Sequence, residues 1–227
     1  MKKIGLLIAV EIDSLLKSKF SYVQTEQIGK FNVYIYEMNG NRIIAIHSGC
    51  GQIKAAAATE ILISLYKVDF IINFGIVGAL TEEIGLQQVC LVDSVVDYAF
   101  DTSEVNDCEK GRHLDYPSVY LKASEKLIEN ALRIIPDIRK VNCASGTKFV
   151  STAEEKKQIN REFNCEIVEM EAAGILLTAD MHGVGVLFIK GISDSLNGGK
   201  DEFLAMFRRS SDVCLEIVEQ LLEQDFN

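Results

Sequence analysis

The chain has 227 residues, of which 48% are hydrophobic and 25% are charged. This composition supplies the apolar material for a buried core, excludes disordered and collagen-like classes, and fits a single domain over residues 1–227. The 33 acidic and 23 basic residues give a net charge of -10, which repels phosphate groups, so nucleic acid is not an expected partner.

The N-terminus and the cysteines indicate the cellular compartment. Lys2, Lys3 and the apolar run 4–10 imitate the start of a signal peptide, but Glu11 and Asp13 follow at once without a small-residue cleavage site. No apolar stretch reaches the roughly 20 residues that a membrane span needs. The six cysteines lack the spacing of a zinc site, so we expect reduced thiols and no metal. These features predict a cytoplasmic protein without a membrane partner.

The first elements are predicted to be strands. Ile4–Val10 is short, apolar and bounded by charge, which is typical of a strand buried on both faces. Asn39-Gly40 separates two further extended segments, Asn32–Met38 and Arg42–Ser48. Because Asn-Gly is the strongest short-range hairpin signal, these segments are predicted to pair antiparallel.

Helices and strands then alternate along the chain. Strands are predicted at 69–74, 87–96, 140–144, 165–169 and 184–191. Helices are predicted at 52–66, 122–133, 152–163, 172–182 and from residue 201 onward, with the polar stretch 97–120 as a loop. This alternation predicts an α/β fold, a single domain with a central mixed β-sheet flanked by helices.

The last helix carries apolar and small residues at a spacing of four and three. The stripe consists of Phe203, Phe207, Ser210, Cys214, Ile217 and Leu221. We expect it to pack against the core.

Polar residues and glycines gather where predicted strands end, the usual place of ligand sites in open α/β sheets. They are Glu11, Asp13, the segment 48–51, the glycine turn 75–78, Phe149, Val150, Glu169, Met170, Glu171, Ser193 and Asp194. Taken singly, each has a structural explanation: the aspartate caps a turn, the glutamates are solvated, the methionine belongs to the core and the glycines allow close packing. Dinucleotide and P-loop motifs are absent from the sequence.

Together these segments resemble the family of 5'-methylthioadenosine/S-adenosylhomocysteine nucleosidases and the related purine nucleoside phosphorylases. The resemblance covers nearly the whole chain, and its most specific parts are Val168-Glu169-Met170-Glu171-Ala172-Ala173 and Gly191-Ile192-Ser193-Asp194. It implies a nucleoside phosphorylase-like fold, a purine nucleoside as small-molecule ligand, no cofactor, and a homo-oligomer in which a dimer is favoured.

The resemblance also implies roles for individual residues. Asp194 would be the general acid at purine N7, which requires it to hold a proton near neutral pH through burial or a hydrogen bond. Met170 and Glu171 would hold the ribose. The remaining residues implied at the substrate are Gly78, Phe149, Val150, Glu169 and Ser193.

Two positions depart from the family pattern. The water-activating glutamate of the family aligns with Asp13, which is one methylene shorter, while Glu11 stands nearby as a substitute. We favour Asp13 on alignment. Ile76 occupies a position where these nucleosidases carry a serine that supports the acid.

Three functions fit these residues. A phosphorylase must hold a phosphate dianion with cations, whereas a hydrolase needs a positioned water and a base. The nearest cations in sequence are Lys54, Lys148 and Lys190, and Arg42 lies at the entering end of its strand. We therefore expect hydrolysis of the N-glycosidic bond. The alternatives are a phosphate-dependent purine nucleoside phosphorylase and a nucleoside-binding protein with weakened catalysis.

Overall fold

The computed structural model describes residues 1–224, which form a mixed sheet with helices packed against it. The strands are β1 Lys3–Ile8, β2 Gln24–Ile28, β3 Phe31–Met38, β4 Asn41–His47, β5 Phe70–Ala79, β6 Val89–Asp97, β7 Leu121–Lys122, β8 Arg139–Ser145, β9 Ile167–Glu169 and β10 Gly185–Asp194. The helices are α1 Ile12–Leu16, α2 Gln52–Glu60, continued by a π-helical turn Ile61–Leu65, α3 Glu125–Ile134, α4 Ala153–Phe163, α5 Ala172–Met181 and α6 Lys200–Glu223.

The sheet has a closed half and an open half. Strands β5, β10, β6, β8 and β9 pair in that order, and β9 returns to β5, which closes a ring. From β5 the sheet continues outward through β1, β4, β3 and β2. Parallel and antiparallel pairs both occur, so the predicted α/β fold with a central mixed sheet is confirmed. The predicted domain limit at residue 227 lies outside the described residues.

Strand β5 lies at the junction of the two halves and is buried along its whole length. It pairs in parallel with β1 on one side and with β10 on the other. The carboxyl ends of these three strands therefore meet at one edge of the sheet. The segment 75–78, predicted as a turn after a shorter strand, instead continues β5. Its glycines are strand residues that allow other groups to approach the backbone closely.

The predicted hairpin is confirmed at the opposite side of the sheet. Asn39 and Gly40 have φ angles of 49° and 74°, as a two-residue turn between twisted strands requires. Strand β2 pairs with β3 but was not predicted. Its sequence Gln-Thr-Glu-Gln-Ile is polar, because an edge strand with exposed side chains has no apolar face to bury.

Helix α6 packs on β10 and β5 through the C-terminal part of the predicted stripe, from Ser210 onward. Ser210, Cys214 and Leu221 are buried there. Ser210 Oγ donates to the Ile192 carbonyl at 2.8 Å, and a Cβ at Gly191 would lie 2.9 Å from the Ser210 carbonyl oxygen. Within residues 1–224, no helix has both the length and the apolar character to cross a membrane.

Candidate active site

A cavity of about 310 Å³ opens where the carboxyl ends of β1, β5 and β10 meet. Most of the residues singled out in the sequence line it, because those strand ends and the start of α5 share one edge of the sheet. They are Glu11, Gly78, Phe149, Glu169, Met170, Glu171, Ser193 and Asp194.

Asp194 is the last residue of β10 and is 1% exposed. Ser193 Oγ lies 2.9 Å from its Oδ1, and Lys156 Nζ lies 2.5 Å from its Oδ2. Gly78 pairs with Asp194 across the strands, and a Cβ at that glycine would lie 2.9 Å from Oδ2. Contacts with Lys156 and Ser193 thus hold the carboxyl group at the cavity wall, and the Ser193 hydroxyl also lies 3.1 Å from the Val77 carbonyl oxygen. The absence of a side chain at Gly78 leaves room for the carboxyl group.

Lys156 reaches Asp194 from the first turn of α4. The helix begins as predicted, with the Thr152 hydroxyl accepting from the Glu155 N–H at 3.3 Å. Lys156, Ile159 and Phe163 are all buried and are spaced by three and four residues, so the lysine occupies a position of the apolar stripe. Its ammonium group also contacts the carbonyl oxygens of Ser195 at 2.6 Å and Gly198 at 3.2 Å.

Glu169 is held by the protein itself. Its Oε2 accepts from Lys190 Nζ at 3.1 Å and from the Glu171 N–H at 3.1 Å, and both oxygens accept from the Ala172 N–H. A carboxylate at the start of α5 also offsets the helix dipole. Burial disfavours the charge on Lys190, but Glu169 and the weaker effects of the other acidic groups around it together outweigh burial and hold the pKa of Lys190 above its ordinary value. These contacts fix the position of Glu169 at the cavity wall and connect it to Lys190 and to the start of α5.

Glu171 is buried at the start of α5 and has a raised pKa. Its Oε1 accepts from the Gly51 N–H at 2.8 Å. Burial first, and then the charge of Glu169, raises the pKa of Glu171 to about 7. Near neutral pH this side chain can therefore accept or donate a hydrogen bond, which suits contact with a sugar hydroxyl.

The two carboxylates after β1 have different surroundings. Glu11 is 2% exposed, its Oε1 accepts from the Ile76 N–H at 2.9 Å and its Oε2 accepts from the Val10 N–H at 3.0 Å. The side chain of Asp13 is 78% exposed and lies 3.7 Å from Lys17 Nζ. Asp13 lines a neighbouring depression, to which Glu11 also contributes. The structure thus places Glu11, and not Asp13, in the lining of the cavity, so the role of water-activating base that was expected of Asp13 is assigned to Glu11 only as part of the proposed function.

Aromatic residues form another part of the wall. The rings of Phe149 and Phe203 lie 5.2 Å apart in an edge-to-face arrangement, and both line the cavity. Val150 lines a small adjoining cavity together with Gly78 and Phe149. An apolar wall beside a few fixed polar groups is typical of a site for a planar ligand. Phe203 was predicted to be core packing and is instead exposed to the cavity.

Cys50 also lines the cavity, with its Sγ 3.7 Å from Met170 Sδ. Burial, and then the charge of Glu171, raises the pKa of the Cys50 thiol to about 11. The group is therefore a thiol at neutral pH and a poor nucleophile. A role for Cys50 in covalent catalysis is not supported.

Residues 3–223 match the phosphorylase superfamily. The chain belongs to this superfamily. It is 28% identical to the 5'-methylthioadenosine/S-adenosylhomocysteine nucleosidase of Staphylococcus aureus strain MRSA252 over 228 residues, which cover 97% of this chain and 99% of that protein.

Solved structures of other proteins have the same fold. The native futalosine hydrolase of Helicobacter pylori superposes with a TM-score of 0.92 at 22% identity, covering 98% of this chain and 97% of that one. The 5'-methylthioadenosine/S-adenosylhomocysteine nucleosidase of Neisseria meningitidis in complex with methylthio-immucillin-A gives 0.91 at 24% identity, covering 98% and 99%. The predicted nucleoside phosphorylase-like fold is confirmed.

Cations are scarce at the cavity. In the part of the chain that the structure describes, neither Lys nor Arg contributes to its lining. Four cations were considered from the sequence. Lys190 is paired with Glu169, and Arg42 lies at the start of β4 beside Lys3. Lys148 lines the small adjoining cavity and is paired with Glu155 at 2.6 Å, and Lys54 Nζ lies beside Gly49, 3.5 Å from where a Cβ would be. The neighbouring depression does contain Lys17 and Arg208, each with a carboxylate four residues away in the chain.

Proposed function

We propose that this chain is a purine nucleosidase that hydrolyses the N-glycosidic bond of nucleosides of the 5'-methylthioadenosine and S-adenosylhomocysteine type. The observation that carries the proposal is the buried carboxyl group of Asp194, fixed at the wall of a largely apolar cavity that Glu11 and Glu171 also line. The nucleosidases to which the chain is similar support the substrate class.

The chemistry requires an acid and a base. Breaking the bond between C1' and N9 sends its electron pair to the purine and leaves positive charge on the ribose, as in glycoside hydrolysis. Asp194 gives a proton to N7, so the purine leaves as a neutral molecule. Water adds to C1' and gives its proton to the Glu11 carboxylate. Because acid and base suffice, the reaction needs neither a metal nor an organic cofactor.

The remaining residues of the cavity would bind the substrate. Glu171 and Met170 hold the ribose in this proposal, and a hydrogen bond from Glu171 to a hydroxyl offsets charge on the ring. Phe149 and Val150 border the base, with Gly78 close to it. Ser193 and Glu169 keep their neighbours Asp194 and Glu171 in place.

Hydrolysis is favoured over phosphorolysis by the charge of the cavity. A phosphate dianion is normally held by Arg or Lys together with backbone amides, whereas the described lining provides carboxylates. A water molecule needs no such cations. The proposed enzyme therefore uses water as the acceptor of the ribosyl group.

The proposal includes a homo-oligomer in the cytoplasm. Large apolar side chains are exposed, among them Ile53 at 83%, Val105 at 87% and Met181 at 79%, and a second copy of the chain would cover them. All six cysteines are free thiols, as expected for a protein kept in a reducing compartment. The molar mass in solution, measured by light scattering, tests for the dimer.

One assay tests the proposed function. The enzyme is incubated with methylthioadenosine, S-adenosylhomocysteine, adenosine and inosine, each with and without phosphate, and the products are separated by chromatography. We expect a free purine and a free ribose derivative in phosphate-free buffer. A ribose 1-phosphate formed only with phosphate would establish the phosphorylase instead, and binding without any product would establish a nucleoside-binding protein.

A further inference from the structure

The depression beside the cavity is a concave surface to which the proposed function assigns no ligand. Its volume is about 170 Å³, and it lies between α1 and α6. A hydrogen bond of 2.7 Å from Ser14 Oγ to Asp212 Oδ1 joins the two helices there. We call it the α1–α6 depression. Apart from one residue shared with the cavity, its lining consists of Asp13, Ser14, Lys17, Phe207, Arg208 and Asp212.

The α1–α6 depression adjoins the cavity. Glu11 is the shared residue and lines both. Phe203 lines the cavity and Phe207 lines the depression, and the centroids of their rings are 5.6 Å apart. A ligand group that leaves the cavity beside Glu11 therefore passes an aromatic edge, which suits methylene groups and a thioether sulfur.

The depression is next to the ribose end of the cavity. The small adjoining cavity shares Gly78, Phe149 and Asp194 with the main one, and these residues border the base in the proposed function. Glu11 instead connects the main cavity to the depression. Because Glu11 is the proposed base for the water that adds to C1', the ribose lies toward the depression when the purine lies beside Asp194.

The α1–α6 depression carries charges of both signs. Lys17 Nζ lies 3.7 Å from Asp13 Oδ2, and Arg208 Nε lies 3.9 Å from Asp212 Oδ2. Both distances exceed the about 2.9 Å of a good N–H···O bond, and all four side chains are exposed, so a ligand can replace these weak pairs. With Glu11, two cations face three carboxylates. This excess of negative charge repels a phosphate dianion, whereas a zwitterion finds a partner for each of its charges.

We propose that the α1–α6 depression binds the amino-acid end of a 5'-homocysteinyl group, so that the enzyme prefers nucleosides of the S-adenosylhomocysteine type to methylthio nucleosides. The α-carboxylate lies between Lys17 and Arg208, and the α-ammonium group lies beside Asp212. The thioether and its methylenes pass Phe203 and Phe207. This inference rests on the proposed nucleosidase activity and adds to it the residues that determine specificity.

The test is the ratio of kcat/KM for S-adenosylhomocysteine to kcat/KM for methylthioadenosine in the wild type, Lys17→Met and Arg208→Met. Each substitution should lower this ratio roughly threefold to tenfold, the size of one charge contact near the surface. Both rates come from one preparation, so the ratio does not depend on how much of the enzyme is folded.

Arg209→Met is the matched control. Arg209 is the exposed neighbour of Arg208 on α6 and lies outside the lining of the depression, so this variant loses the same charge and should keep the wild-type ratio. A wild-type ratio in both Lys17→Met and Arg208→Met, or an equal fall in Arg209→Met, would overturn the inference.

Substrate analogues give an answer in the wild type alone. Three 5'-alkylthioadenosines of the same chain length are compared with S-adenosylhomocysteine: one ends in a carboxylate, one in an ammonium group and one in a methyl group. We expect the highest kcat/KM for S-adenosylhomocysteine, which carries both charges, and the lowest for the uncharged chain. Added salt should reduce this advantage, because it screens contacts between exposed charges. An uncharged chain cleaved as well as S-adenosylhomocysteine at low salt would overturn the inference.

The outcomes also separate this inference from the proposed function. If the wild type cleaves no nucleoside, both fail. If it hydrolyses purine nucleosides with a ratio that ignores Lys17 and Arg208, only the present inference fails. If cleavage requires phosphate and either substitution raises the KM for phosphate, the depression is the anion site of a phosphorylase, and both the proposed hydrolysis and the inference are wrong.

Discussion

Gly78 on β5 pairs with Asp194 on β10, and the acid's Oδ2 fills the space where a side chain at residue 78 would begin. An added Cβ would lie 2.9 Å from Oδ2 and 3.4 Å from Val168 Cγ1. The carboxyl group cannot move aside freely because Lys156 holds the same oxygen. The placement of the acid thus depends on the absence of a side chain on the neighbouring strand.

Gly78→Ala is therefore expected to lower kcat by up to about 10²-fold, because it displaces a reacting group by a fraction of an ångström or more. The circular dichroism spectrum should remain that of the wild type. Gly85→Ala is the matched control, since a Cβ at Gly85 would meet no atom within 4 Å, and it should keep full activity. A Gly78→Ala enzyme with wild-type kcat would show that Asp194 is not held against β5 as described.

The assignment of the base is tested by one substitution at each carboxylate after β1. Glu11→Gln should lower kcat by roughly 10² to 10⁴, the usual contribution of a general base, because this buried group lines the cavity. Asp13→Asn should change kcat little, since the Asp13 side chain is 78% exposed and pairs with Lys17. The opposite ranking of the two variants in steady-state assays would return the role to Asp13.

The raised pKa of Glu171 predicts how stability varies with pH. Burial and the charge of Glu169 move this pKa from 4.5 to about 7 in the folded protein. The folded state then binds the proton more tightly than the unfolded state, so the contribution of Glu171 is fully present below pH 4.5 and is lost as pH rises through about 7. Glu171→Gln removes this titration, since a neutral amide stays uncharged at every pH.

Melting temperatures of the wild type and Glu171→Gln across this window test the prediction. The Tm of Glu171→Gln minus the Tm of the wild type should increase as pH rises from 4.5 to about 7. Glu104→Gln serves as the control because Glu104 is exposed, and its Tm should follow the wild type. A constant difference between Glu171→Gln and the wild type would mean that Glu171 is ionised throughout the window.

Much of the fold could be predicted because it depends on local patterns. The apolar runs at β1 and β10 are buried strands, and Asn39-Gly40 forms the hairpin turn as its sequence indicates. The glycine segment 75–78 was misinterpreted as a turn. It is part of β5, and its glycines Gly75 and Gly78 leave room for carboxylates from the ends of other strands. These contacts join residues that are far apart in the sequence, so a local pattern does not reveal them.

The sequence predicted most of the residues that line the candidate site, but it did not predict the contacts between them. Lys156 stands where the spacing to Ile159 and Phe163 predicts an apolar residue, and a lysine in such a stripe was the signal that could have pointed to a buried ion pair. The choice between Glu11 and Asp13 depends on the N–H of Ile76, which is 65 residues away from Glu11 in the sequence. Alignment alone does not reveal such a contact.

Asp194→Asn tests the central claim, that this cavity cleaves purine nucleosides by protonating the base. The measurement is kcat for purine release in phosphate-free buffer together with the Kd of adenine, for the wild type and the variant. An amide can still donate a hydrogen bond to N7 but cannot give up a proton. We predict that kcat falls by about 10² or more while Kd changes much less. Purine release by Asp194→Asn at a rate near that of the wild type would contradict the account.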